Sequence, residues 1–189
     1  MLAATSVSAA DFGGQPDWTG HVSYVAGYQR MASKWSPAEN QVEFGLIDAN
    51  FAPRSWPVSL CVQTLLSYQD RIPNIPGATG DYSGAWEFNF GVRKIWEPSR
   101  SWHPFVGGGL SVAGASVCSW VRWPFGGSQV TEDSDTGVGA WGGGGVYWNL
   151  SDHWHLGVEA QYSWAEIKLF GNNMQAGGWH ALFMCGVHW

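Results

Sequence analysis

A period of two, sustained for about a dozen residues at a time, constrains this chain more than any other feature. In the segment 41–51, Val42, Phe44 and Leu46 alternate with Gln41, Glu43 and Gly45. Segment 57–69 sets Val58, Leu60, Val62, Leu66 and Tyr68 against Ser59, Cys61, Gln63, Ser67 and Gln69. Trp86, Phe88, Phe90 and Val92 alternate with Glu87, Asn89, Gly91 and Arg93, and Leu156, Val158, Ala160, Tyr162 and Trp164 with Gly157, Glu159, Gln161 and Ser163. Successive side chains of a strand point to opposite faces, so each segment reads as a strand with one apolar and one polar face. The pattern predicts an all-β fold of eight strands, near 19–31, 40–52, 57–69, 84–96, 103–118, 136–149, 154–168 and 177–189. At about 13 residues these exceed the roughly 5–6 of soluble strands.

The apolar face is bulky and nearly free of charge, whereas the other is small or polar. Charged residues make up 13% of the chain, against roughly 25% in ordinary soluble domains. No apolar run reaches the roughly 20 residues of a membrane helix. Short turns alternate with longer loops, the layout of an antiparallel up-and-down transmembrane β-barrel with its apolar face to lipid. An eight-stranded barrel has an interior just wide enough for side chains. Glu43, Glu87, Arg93 and Glu159 would meet there as a lumen charge network. Burying unpaired charge is costly, so a salt-bridged plug is expected rather than a water path. Three carboxylates against one cation suggest that one Glu is protonated or that Arg30 joins. Strands five and six are too Gly-rich to assign faces.

Tryptophan, present 14 times, follows the same kind of turn in PRSW (53–56), SRSW (99–102) and SDHW (151–154). Trp18, Trp56, Trp96, Trp102, Trp148, Trp154 and Trp189 fall beside the tight turns or the termini; Trp35, Trp86, Trp120, Trp123, Trp164 and Trp179 fall near the long loops, and Trp141 fits neither group. An indole, apolar with one N–H donor, favours the headgroup level of a bilayer, so the first set is expected to form a membrane-interface girdle.

HPFVGGGLSVAG, GVYWNLSDHWHLGVEAQYSW and the terminal AGGWHALFMCGVHW resemble the small OmpA-type and opacity-type barrels of the bacterial outer membrane. The resemblance spans about residues 18–189. Ala181, Phe183, Cys185, Val187 and Trp189 resemble the C-terminal signal read by the barrel-assembly machinery, with Trp189 in place of the family's usual Phe. It implies outer-membrane lipid and lipopolysaccharide as surroundings and a structural or binding role, with loops about 70–83 and 119–135 as the contact surface for a possible protein partner. The alternatives are a narrow pore for small solutes and an accessory barrel of a larger envelope complex. Residues 1–10 read as the remnant of a signal peptide and 11–189 as one barrel domain.

Chemistry beyond this is sparse. His21, His155 and His188 share one rim with inward parity, with His103 and His153 nearby; interfacial histidines without a ligand are the expectation, and a metal site the lesser reading. Ser163, His180 and Glu166 lack the spacing of a lipid-modifying enzyme, and His180 should point inward, so no enzyme is expected. Glu132, Asp133 and Asp135 read as a solvated acidic loop rather than a calcium site. Cys61, Cys118 and Cys185 read as small apolar residues. The net charge of −6 argues against nucleic acid, and no cofactor is implied.

Overall fold

A computed structural model describes residues 18–32, 40–71, 79–97, 99, 101–122 and 128–189. The strands are β1 (Trp18–Met31), β2 (Asn40–Pro53), β3 (Ser59–Arg71), β4 (Thr79–Ile95), β5 (Trp102–Arg122), β6 (Ser128–Asn149), β7 (Trp154–Leu169), β8 (Asn172–Gln175) and β9 (Gly178–His188). Each is antiparallel to its neighbour, and β9 closes the sheet on β1 with His21 opposite His188 and Met31 opposite Gly178. β8 and β9 keep one register against β7, with Gln175 opposite Glu166 and Trp179 opposite Tyr162, so together they form the eighth strand of a closed barrel. Closure gives each long strand a hydrogen-bonded neighbour on both sides, as backbone in lipid requires.

Side chains alternate as the pattern predicts. On β7, His155, Gly157, Glu159, Gln161 and Ser163 are buried, while Trp154, Val158, Ala160, Tyr162 and Trp164 are exposed. The outer wall is therefore apolar and the lumen polar. β2 departs from strict alternation: Leu46 and Ile47 both face outward at a bulge that shifts its register against β1 and β3. One extra residue reverses parity beyond it, so Asp48 and Asn50 turn into the lumen.

The Gly-rich wall of β5 and β6 acquires definite faces. Trp141 lies buried in the lumen, its Cη2 3.2 Å from where a Cβ on Gly107 would sit, and donates its indole N–H to Phe90 O. A Cβ on Gly145 would lie 2.7 Å from Phe105 Cζ. Glycine here makes room for two inward rings.

β5 and β6 remain paired to Arg122 and Ser128, so 119–135 is largely a hairpin arm rather than a loop; β3 and β4 likewise remain paired as far as Arg71 and Asp81. Residues 72–78, which include Ile72 and Ile75, lie outside the described residues, as do 1–17, Trp35 and Trp123.

The three recurring turns share one device. The Trp56 N–H donates to Pro53 O at 2.9 Å, the Trp102 N–H to Ser99 Oγ at 3.1 Å and the Trp154 N–H to Ser151 Oγ at 3.1 Å. In each, the fourth residue closes the turn through its N–H, a side-chain oxygen serving where the backbone carbonyl does not.

Candidate functional site

The lumen is built from the inward positions of every long strand. Arg93 on β4 is fully shielded, with Nη1 3.0 Å from Asp48 Oδ1 and Nη2 3.2 Å from Glu159 Oε2. Its guanidinium lies 4.5 Å from the centroid of Phe105 and also donates to the Tyr147 hydroxyl. Phe105 stacks on Tyr147 at 4.5 Å, Tyr147 on His21 at 4.8 Å, and His21 on His188 at 5.6 Å. A column of planar groups thus runs from mid-lumen to the rim that carries the tight turns.

Glu43 and Glu87 do not reach Arg93. They flank His180 on β9: His180 Nδ1 lies 2.9 Å from Glu43 Oε2, and Nε2 lies 2.8 Å from Ser163 Oγ. The Ser163 hydroxyl donates to Glu87 Oε1, directing its proton at a carboxylate rather than at the imidazole. Ser163, His180 and Glu43 therefore resemble a nucleophile–base–acid array in outline but not in proton placement, and Ser163 is buried. Gln63 and Asn89 join the two clusters. Gln63 Nε2 donates to Glu159 and Asp48, and Asn89 Nδ2 donates to Gln63 and Glu87.

The four predicted charges thus divide: Arg93 and Glu159 pair, whereas Glu43 and Glu87 belong to a second cluster around His180. Arg30 does not join them, because it lies on the exposed face of β1. Asp48 was missed because plain alternation puts it on the outer face until the bulge at Leu46–Ile47 is counted. His180 was read as inward, but its partners follow only from which strands closure brings together.

Toward the loop end the lumen is filled by apolar side chains, among them Met31, Ala85, Ala113, Ala165, Ile167 and Leu169. At the opposite end a cavity of about 330 Å³ opens beside His21, Asn50, Lys94 and Trp96. Of the rim histidines His21 lines it, and His155 and His188 pack beside His21, with ring centroids 5.1 to 5.8 Å apart. His103 meets Asn149 Nδ2 at 2.9 Å.

Trp18, Trp56, Trp96, Trp102, Trp148, Trp154 and Trp189 are all exposed at this end, and Trp102 stands opposite Trp148 on adjacent strands. Trp86, Trp164 and Trp179 are exposed toward the other end. Cys61 faces the lumen, Cys185 faces outward, and both are free thiols, as is Cys118.

Beyond Gly139 the ladder between β6 and β7 gives way to side-chain contacts. Asp135 accepts the Lys168 N–H at 2.6 Å, and Asp133 accepts the Phe170 N–H. The acidic stretch therefore ties the β5–β6 arm to the β7–β8 hairpin, which turns at Phe170 (φ 51°) and Gly171 (φ 75°). The Lys168 and Thr136 amides hold the exposed Asp135 carboxyl below the usual carboxylate range.

No protein-family model matches the chain, and no curated protein matches it in sequence. Solved structures do match it in shape. The attachment invasion locus protein Ail of Yersinia pestis, solved with the heparin analogue sucrose octasulfate, aligns with a TM-score of 0.57 at 11% identity, covering 91% of this chain and 97% of that one. A major outer membrane protein of Thermus thermophilus aligns at 0.56 with 10% identity, covering 91% and 98%. Neisserial surface protein A aligns at 0.53 with 15% identity, covering 90% and 94%. With the closed eight-stranded register, the inverted polarity and these likenesses together, the chain has the fold of the small transmembrane β-barrels of the bacterial outer membrane.

Proposed function

We propose that this protein is a closed outer-membrane barrel with a structural or binding role, in which a rigid, plugged lumen supports an extracellular contact surface. The observation that carries the reading is Arg93, fully shielded between Asp48 and Glu159. A guanidinium so enclosed is held from several sides, which supports a lumen plugged at that level. Breaking such a pair strands a buried charge, so opening the lumen there is costly. The apolar filling around Ile167 and Leu169 supports the same conclusion at the loop end.

With tight turns toward the periplasm, as barrels of this type carry them, the β5–β6 arm faces outward from the cell, and 70–83 is the second segment proposed for the contact surface. Tying the arm through Asp133 and Asp135 favours a preformed surface, which lowers the ordering cost of a partner. The acidic Glu132, Asp133 and Asp135 are ill suited to a polyanion such as the one solved with Ail. A neutral or basic partner fits better. Trp18, Trp56, Trp96, Trp102, Trp148, Trp154 and Trp189 serve on this reading as the periplasmic girdle, and the plug network comprises Glu43, Glu87, Arg93 and Glu159 with Asp48 and His180.

Planar-bilayer recording of the refolded protein tests the plug. The expected trace stays at the bilayer baseline. Steady unitary steps that survive repurification would replace this reading with the narrow pore. Pull-down from envelope extracts in mild detergent, with and without residues 123–127 replaced by Gly-Ser, tests the contact surface. Loss of a partner with an intact heat-modifiable barrel supports it, whereas a partner held equally by both forms points to the barrel wall of an accessory subunit.

A further inference from the structure

The barrel wall has a notch at its turn end, and two prolines account for it. The β2–β3 ladder stops at Phe51 and Leu60 and the β3–β4 ladder at Ser59 and Arg93, although β2 runs on to Pro53 and β4 to Ile95. Continued in register, the first ladder would set Val58 opposite Pro53 and the second Pro57 opposite Ile95. Neither proline has an N–H to give. On its other side β4 stays bonded, the Trp96 N–H donating to Pro104 O at 2.9 Å. Successive residues of a strand turn their N–H groups to opposite sides, so Ile95 directs its own toward the notch. The cavity of about 330 Å³ lies in this gap, lined by Pro53, Pro57, Val58 and Ile95.

The lining is cationic in an acidic chain. Lys and Arg number 9 against 15 Asp and Glu, yet Arg54 and Lys94 both line the cavity and Glu97 is the one carboxylate among the described residues there, for a formal charge of +1. Lys94 follows inward Arg93, so its stem starts on the outer wall, where such side chains carry the charge to the interface along apolar surface. The exposed Trp56 and Trp96 also line the cavity, and the exposed Phe51 and Val92 continue an apolar wall on β2 and β4. A soluble anion would use the cations alone; an anion anchored in lipid uses the indoles and the wall as well.

We propose that this notch binds one phosphate group, carried by an anionic phospholipid of the periplasmic leaflet, with Arg54 and Lys94 as the charged contacts and the Ile95 N–H as a backbone donor. The assignment rests on the membrane orientation proposed above. Charge-assisted bonds from guanidinium and ammonium suit a phosphate oxyanion. The volume is at the lower end of small-ligand pockets, about 300–1,000 Å³, which suits a headgroup whose acyl chains run along the wall past Phe51 and Val92.

Native mass spectrometry of the full chain refolded in non-ionic detergent tests the site, each variant first checked by the unboiled band shift. One phosphatidylglycerol per barrel should stay bound as detergent is stripped, whereas dioleoylglycerol, without the phosphate, should not. Arg54→Gln and Lys94→Gln should each weaken retention about 5-fold; Lys94→Arg should restore it and Glu97→Gln should strengthen it. If Lys94→Gln fails to fold, Lys94→Met replaces it. Arg30→Gln, an exposed cation at the other end of β1, should change nothing. Equal retention of dioleoylglycerol, or of phosphatidylglycerol when both cations are replaced, overturns the proposal. Inorganic phosphate separates the two sources of the group: retention that it leaves unchanged supports the lipid, and phosphate that binds as tightly as the lipid and displaces it overturns the lipid as occupant. None of these readouts depends on the plug or on an extracellular partner, so their failure would leave the proposed function standing.

Discussion

Arg93 Nη1 lies 3.0 Å from Asp48 Oδ1 in the centre of the barrel, with neither side chain exposed to solvent. The two residues are on strands that are not neighbours, β4 and β2, with β3 between them. Their pairing braces the lumen across its width, and Glu159 on β7 completes the brace from the far wall.

Removing the cation alone should therefore be far more harmful than removing the whole set. Arg93→Met is expected to cost about 3–5 kcal/mol, because it leaves two buried carboxylates facing each other. The triple variant with Asp48→Asn and Glu159→Gln should recover most of that loss. Urea unfolding in micelles, followed by tryptophan fluorescence, measures both. A single variant within about 1 kcal/mol of wild type would mean that the lumen charges are solvated, as surface pairs are.

How much of this was legible depended on what each feature required. Strand number, the polar lumen and the exposed tryptophans follow from local alternation, because a strand's two faces are written two residues apart. The division of the lumen charges is not local. Glu43 and His180 are 137 positions apart and meet because β9 closes on β1, which pairs with β2. Asp48 shows a subtler limit: one bulged residue at Leu46–Ile47 inverts every later position of β2, and no composition rule marks that place. The glycine wall was opaque for a related reason, since without side chains there is no face to read until Trp141 and Phe105 fill the space it leaves.

That wall yields a contrast between two glycines three residues apart. A Cβ at Gly139 would lie 1.6 Å from Trp164 O, whereas at Gly142 the nearest atom would be 3.8 Å away. Gly139→Ala must push β6 from β7 and should destabilise by about 1–3 kcal/mol, as overpacking does. Gly142→Ala should be neutral or stabilising by up to about 1 kcal/mol, through restriction of the unfolded chain. The fraction of heat-modifiable monomer across a urea series separates them; equal behaviour would show that the strands are not so closely apposed.

The Asp135 carboxyl is held below its ordinary range by the Lys168 N–H and then the Thr136 N–H. A group with a depressed folded value stabilises above its unfolded pKa, roughly 4, and loses that contribution as pH falls through the folded value. Protection of the Lys168 amide from hydrogen exchange, corrected for intrinsic rate, should therefore hold at neutral pH and fall on strong acidification. Asp135→Ala should remove it at every pH without altering protection at Gly139. Protection that instead falls as pH rises would contradict the assignment.

Trp102 and Trp148 stand opposite each other on β5 and β6, both exposed on the outer wall at the turn end. Placed at the headgroup level, their rings should be quenched strongly by lipids brominated near the carbonyl and weakly by lipids brominated near the chain terminus. Inward Trp141, behind the wall, should respond little to either. The comparison needs three forms that each retain one of these indoles, with Phe at the remaining tryptophan positions and folding checked by band shift. Quenching of Trp102 that peaks at the chain terminus would put the rim in the hydrocarbon and displace the girdle. A ring quenched by aqueous acrylamide but by neither lipid would put that end of the barrel in water, leaving the turn-closing N–H of Trp102 as its clearest role.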